Sequence, residues 1–176
     1  EEVIHPAQFG EIIFSVRVFK VDNGLGIAAT DITETKKNER IQTAIYNVSR
    51  AIFHTENMTN LYEQIRDYLG KVIDTTNFYI ALYDAYSDSI FLPYNIDQYD
   101  NYTTFPAGKT LTKYVIDSGK PLLGNHKQIE KLEAKGLIET IGEPAKVWLG
   151  VPLKLNNKVI GVIAVQSYKN ENAYDE

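Results

Sequence analysis

The sequence predicts an α+β domain: a central antiparallel sheet of about five or six strands, with helices on one face and a ligand pocket on the other. Two strand pairs and the amphipathic segments between them carry this expectation. In residues 146–168, Val147, Leu149, Val151, Leu153 and Leu155 fall at every second position, as the buried face of a strand requires. Asn156-Asn157-Lys158 supplies turn chemistry, because Asn tolerates a left-handed backbone. The apolar, β-branched run Val159–Val165 then suits a strand covered on both faces. Together these segments predict a hairpin in the middle of the sheet. Residues 78–84 and 89–94 predict a second antiparallel pair, turning at Ser87-Asp88-Ser89.

Composition bounds the rest. With 176 residues and 44% hydrophobic content, the chain can bury roughly 70% of its unfolded surface, so it needs no covalent staple. It holds no cysteine, which excludes disulfides, thiolate metal sites and thiol nucleophiles. A net charge of −5 argues against a nucleic-acid surface, which needs clustered Lys and Arg. No apolar run reaches the ~18 residues of a spanning helix, and no signal-peptide pattern opens the chain. The expected location is the cytoplasm, without direct membrane insertion, and a membrane anchor elsewhere in a parent protein stays open. Both ends read as cuts in a longer protein.

In chain order, Ile12–Val21 and Leu25–Ala29 around Asp22-Asn23-Gly24 form a hairpin signal. Two strands alone are marginal in water and need a partner surface. Residues 1–33 resemble the C-terminal strands of a PAS domain, with Thr30-Asp31-Ile32-Thr33-Glu34 matching that fold's acidic exit. The alternative is an extra hairpin of the main domain. Residues 34–56 follow as a connecting helix over Glu34–Phe53, capped by Asp31 or Thr33. Ile41, Ile45, Val48 and Ile52 make a narrow apolar stripe flanked by Ala44 and Ala51. Such a stripe serves a helix packed on its own sheet or a parallel dimer helix that carries a signal. The order of the two resemblances favours the dimer. A second helix starts at Asn57 or Thr59, with Leu61, Ile65, Tyr68, Leu69 and Val72 on one face.

On the first strand of the second pair, Phe78, Ile80 and Leu82 share one face and Tyr79, Ala81 and Tyr83 the other. The tyrosine face suits a partly polar cavity floor, and equally an amphipathic sheet surface. Asn95–Lys109 is long for a connection and carries Tyr99, Tyr102 and Phe105, as lids and binding loops do. Thr110 caps a helix Leu111–Ser118 whose free N–H groups, beside Lys109, suit a phosphate or carboxylate. Gly119 closes it and Lys120-Pro121 restarts a strand. Asn125 caps a further helix with Ile129, Leu132 and Leu137 towards the core, and Ile138–Lys146 is read as a mobile connection.

Trp148-Leu149-Gly150-Val151-Pro152-Leu153, a polar turn and Val159-Ile160-Gly161-Val162-Ile163 resemble the last hairpin of a GAF domain. Leu111–Leu122 is similar to that family's middle helix and the strand after it. The resemblance covers residues 40–168, and it implies a GAF-like sensor domain over 57–176 that lacks its last helix. It places the helix after Asn57 behind the sheet, makes Tyr79, Tyr83, Tyr94, Tyr114 and Trp148 candidate pocket residues, and closes the region 125–137 over a ligand. Trp148 is compatible with either face of its strand. Within that family, the missing cysteine removes covalent bilin attachment and the cysteine-dependent methionine-sulfoxide reductases. The Asn-Lys…Phe-x-x-x-Asp-Glu pattern of cyclic-nucleotide binders is not met, since the Phe position four before Asp175 holds Glu171.

Catalytic constellations are not legible. His5, His54 and His126 lie on different elements without metal-ligand spacing, and no GxxxxGK[ST], GxGxxG or GxSxG occurs. No cofactor and no metal is predicted, and no enzyme activity in this fragment. The expected role is a regulatory sensor or dimerisation module of a signal-transduction protein, a sensor histidine kinase of a two-component system. It would bind an unknown small molecule or relay a signal through its terminal helices. Its expected partners are a second copy of itself and neighbouring PAS and kinase domains. The alternatives are a ligand-free dimerising spacer and the effector domain of a transcription regulator.

Overall fold

The computed structural model describes the backbone of residues 2–7, 10–54 and 57–175 and the side chains of 12–52 and 57–175, so the side chains of His5, Phe53 and His54 lie outside it. The chain divides into two compact units, Glu1–Arg50 and Ala51–Glu176.

In the first unit an antiparallel sheet runs in the order β1 (Glu2–Ala7), β2 (Gly10–Val21), β3 (Gly24–Asp31). The hairpin expected at residues 22–24 forms, with Asp22 at φ 40° and Val21 paired to Gly24. β1 is an addition to the sequence reading. It pairs with β2 from Glu2↔Ser15 to Ala7↔Gly10, so the hairpin is not left as a lone pair. Helix α1 (Thr33–His54) follows. The Asp31 carboxylate accepts from the Thr33 N–H at 2.9 Å and from its hydroxyl at 2.6 Å, while Thr33 Oγ1 accepts from the Ile13 N–H at 2.9 Å. The helix start is thereby fastened to β2. Among the described residues of α1 the buried side chains are Ala44 and Ala51, whereas Ile45 and Ile52 are 56% and 55% exposed.

The second unit is a six-stranded, all-antiparallel sheet in the order β6-β5-β4-β9-β8-β7. Its strands are β4 (Asn77–Asp84), β5 (Ser89–Ile96), β6 (Thr104–Pro106), β7 (Leu122–Asn125), β8 (Val147–Leu155) and β9 (Lys158–Ser167). The β8–β9 turn uses Asn156 at φ 49° and Asn157 at φ 65°, the left-handed pair a two-residue hairpin demands. β9 lies at the centre against β4, and Gly161 is what lets it do so. A Cβ there would collide with the Ala81 carbonyl oxygen.

The expected α+β sheet with a pocket on one face forms, with helices packed behind the sheet and over its pocket side. Helix α2 (Met58–Leu69) is capped by Asn57 and ended by Gly70. Its Tyr62, Ile65 and Leu69 pack on Phe78, Ile80, Val147 and Val165. Helices α3 (Leu111–Ser118) and α4 (His126–Ala134) lie on the other face, over a core that includes Ala81, Ile90, Trp148, Val162 and Ala164. The β4 alternation therefore sorts as read: Phe78 and Ile80 towards α2, Tyr79 and Ala81 away from it.

Two burial expectations fail for local reasons. Val151 and Leu155 are 45% and 59% exposed. β7 pairs with β8 only over Val147–Gly150, so the rest of β8 has β9 as its single neighbour. Leu137 is exposed as well, because Gly136 turns left-handed at φ 66° and Ile138 takes the buried place.

Candidate ligand site

The sheet face opposite α2 carries a cavity of about 200 Å³. Its floor starts with Trp148, which is 2% exposed and donates its indole N–H to the Tyr79 hydroxyl at 3.0 Å. Gly150, two residues along β8, leaves room for the indole, since a Cβ there would overlap the ring. The Tyr79 hydroxyl lies 3.0 Å from Thr112 Oγ1, and Thr112 is 2% exposed in the first turn of α3. Thr110 fixes that turn by accepting from the Lys113 N–H at 3.1 Å and donating to the Ala107 carbonyl at 2.9 Å. Burial pushes the Tyr79 phenol up to about 12, with the charges of Asp97 and Asp100 adding to it against the opposing hydrogen bonds.

The loop after β5 forms one side wall. Asn77, buried at the start of β4, accepts from the Gln98 N–H at 3.0 Å and donates to the Gln166 carbonyl at 3.0 Å. Asn95 donates to the Asp100 and Tyr102 carbonyls, both at 3.2 Å. The loop so held sets Asp97 and Asp100 side by side on the cavity. Asp97 accepts from Gln166 Nε2 at 2.7 Å, from the Tyr168 hydroxyl at 2.9 Å and from the Tyr99 and Asp100 N–H groups at 2.9 and 3.0 Å. Asp100 accepts from the Glu143 N–H at 3.2 Å and from the Tyr168 hydroxyl at 3.4 Å. Burial and these carboxylates raise the Tyr168 phenol far above its ordinary value.

Helix α4 forms the opposite wall through Ile129. Its start is a capping box: Asn125 accepts from the Gln128 N–H at 3.0 Å and Gln128 returns a bond to the Asn125 N–H at 2.9 Å. The segment after α4 closes the rim with Ile141 and Pro144. The Glu139 N–H donates to the Lys109 carbonyl at 2.8 Å, which holds this segment to the start of α3.

Of the five sequence candidates, the structure brings Tyr79 and Trp148 together at the cavity. Tyr83 is on the same face of the sheet but donates to Asp88 at 2.9 Å, and Tyr114 packs at the edge of that core; neither lines the cavity. Tyr94 faces α2, where its ring meets Phe78 at 5.9 Å and Tyr62 at 6.1 Å. The cause is a bulge. Leu82 pairs with Phe91 but Ile80 pairs with Tyr94, so β5 carries one extra residue around Pro93, a residue suited to bulges. Ile90 and Leu92 face the cavity side, and the bulge turns Tyr94 away. The sequence reading passed over Thr112, Asp97, Asp100 and Gln166. The long loop with Tyr102 and Phe105, which do line the cavity, was the signal that led nearest to the two carboxylates. His126 lies at the rim, exposed and 3.4 Å from Glu130.

Among the described residues no group of three or more His, Asp or Glu side chains is placed to hold a metal ion, and no helix is long and apolar enough to cross a membrane.

A six-stranded antiparallel sheet with a pocket under α3 and α4 is the fold of GAF domains. The chain is similar to the GAF domain of a phosphoenolpyruvate-protein phosphotransferase from Coxiella burnetii (TM-score 0.61, 12% identity, 78% of this chain and 83% of that one). It is similar also to free methionine-R-sulfoxide reductase from Neisseria meningitidis, solved with its substrate (TM-score 0.56, 18% identity, 80% and 79%). Likeness to the chromophore-binding domain of Stigmatella aurantiaca phytochrome P1 extends over 96% of this chain and 65% of that one (TM-score 0.53, 10% identity). No family model and no curated protein matches the chain.

Proposed function

We propose that this chain is a non-catalytic regulatory module, in which residues 51–176 sense a small molecule and α1 relays the result in a homodimer. The observation that carries the reading is the cavity floored by the Trp148–Tyr79–Thr112 hydrogen-bonded set. At about 200 Å³ it is below the ~300–1,000 Å³ of drug-sized sites, so the ligand is small and a tetrapyrrole is not accommodated. The absence of cysteine leaves no thiol for a chromophore linkage or for reductase chemistry within this chain. The exposed Ile45 and Ile52 of α1 give a second copy an apolar stripe to cover. We place the module in a cytoplasmic signal-transduction protein, with a PAS-like unit before it and a histidine kinase as output.

Native mass spectrometry of the purified protein tests this. The expected result is a dimer carrying an added small-molecule mass. A ligand-free dimer would remove the sensing half and leave a spacer, and a ligand-free monomer would remove both halves.

A further inference from the structure

We propose that the cavity takes a small organic cation bearing a hydrogen-bond-accepting oxygen, with its ammonium at Asp97 and Asp100 and its oxygen at the Thr112–Tyr79 hydroxyl pair. The inference rests on the ligand-sensing reading above and specifies the ligand of that same cavity.

Charge gives the first half. Asp97 and Asp100 are half-buried on the cavity wall, and every hydrogen bond they receive comes from a neutral donor: Gln166, Tyr168 and backbone N–H groups. Among the described residues no Lys, Arg or His forms an ion pair with either. Two adjacent, half-buried carboxylates thus stand hydrogen-bonded but without a counter-charge, which a bound cation would supply. The basic groups nearest the rim are engaged elsewhere, His126 with Glu130 and Lys109 with Glu139 at 3.5 Å. Glu133 and Glu143, which also line the cavity, carry the same negative sign, so an anion is disfavoured there. Since no three metal-ligating side chains are placed to hold a metal among the described residues, an organic cation suits the pair of carboxylates better than a metal ion.

A proton count gives the second half. Trp148, Tyr79 and Thr112 hold one polar hydrogen each. The indole hydrogen goes to the Tyr79 oxygen and one hydroxyl hydrogen is used between Tyr79 and Thr112. Whichever of these two donates, the other hydroxyl keeps its hydrogen, and both residues line the cavity. One donor therefore remains at the buried floor for an oxygen of the ligand. Cation at one end and acceptor at the other define the ligand class.

Tyramine, tyrosol and 4-hydroxyphenylacetate share a phenol and differ at the far end as ammonium, alcohol and carboxylate. Each is titrated into the full chain, read by the emission of Trp148, the single tryptophan, and by the thermal midpoint. Tyramine is expected to bind at least about tenfold more tightly than the other two, as a charge-assisted contact to an unneutralised carboxylate allows, and to weaken as salt is raised. Asp97→Asn and Asp100→Asn should each cut that preference to about threefold or less while sparing tyrosol. Thr112→Val should weaken all three alike. If Asp97→Asn does not fold, Asp100→Asn carries the test, since it receives fewer bonds. Equal or tighter binding of tyrosol or 4-hydroxyphenylacetate would overturn the cation and leave ligand sensing intact. Binding of none of the three at millimolar concentration would overturn the inference, and ligand sensing would fall with it only if native mass spectrometry also finds no bound mass.

Discussion

Gly150 and Trp148 stand two apart on β8, and the indole fills the space that a side chain at 150 would need. Gly150→Ala should therefore push the indole off the Tyr79 hydroxyl. The expected cost is about 1–3 kcal/mol in urea unfolding, with a changed tryptophan emission in the folded state. An unchanged midpoint would mean that the indole has another place to go. The sequence left the facing of Trp148 open, because Val147 and Leu149 made the other face look like the core. The glycine two positions on was the overlooked sign, as a large ring lying along a strand needs a missing side chain beside it. Tyr94 was misplaced for the opposite reason. Alternation through Ile90 and Leu92 points it at the cavity, but Pro93 sits at a bulge that reverses the count, and alternation alone carries no mark of an inserted residue.

At the scale of elements, caps were the most legible features. Thr110, Gly119 and Asn125 end or begin helices where the sequence put them, because capping is a local matter of one side chain and the nearest free backbone groups. The wall that α4 contributes depends on such a cap. Asn125→Ala removes the half of the capping box made by its side chain, leaves the backbone N–H of residue 125 donating to Gln128, and should lower stability by about 1 kcal/mol, measured by chemical denaturation. A loss below a few tenths of that value would show that Ile129 and the β7 pairing hold α4 without its cap. The short β1 and β6 strands were not legible: each is recruited by a neighbour through backbone pairing, which leaves little pattern in its own side chains. Asp97 and Asp100 were missed because carboxylates in a long loop look like solvated ones until the loop is seen tied down by Asn77 and Asn95.

For the molecule as a whole, three phenols whose values are raised chiefly by burial set an alkaline limit. Tyr79 rises to about 12 from an ordinary 10.0, chiefly through burial. Tyr168 and Tyr174 are raised too, burial again leading. Above pH 10 the unfolded chain has lost protons that the folded chain keeps, so folding stability is full below that pH and falls as pH rises. For Tyr79 alone the loss approaches about 1.4 kcal/mol per unit between pH 10 and 12. Denaturant midpoints measured across that range should fall steeply, and less steeply in Tyr79→Phe relative to its own neutral value. A flat profile would mean that these phenols are open to solvent. Large-scale organisation was legible in part. The central β4–β9 pairing follows from the β-branched run at 159–165, whereas the apolar periodicity of α1 fixed the helix but not which of its side chains are buried, and the alanines proved to be those.

The outer strands of the six-stranded sheet are its shortest, three residues in β6 and four in β7. β6 also ends in Pro106, which offers no N–H to an incoming strand. Long open edges recruit foreign strands and seed aggregates, and short or proline-bearing edges deter them. Past the end of β7, residues 151–155 of β8 form an open edge, but Pro152 interrupts it, so each border of this sheet meets an incoming strand with a proline and a strand-by-strand assembly of identical copies is disfavoured there.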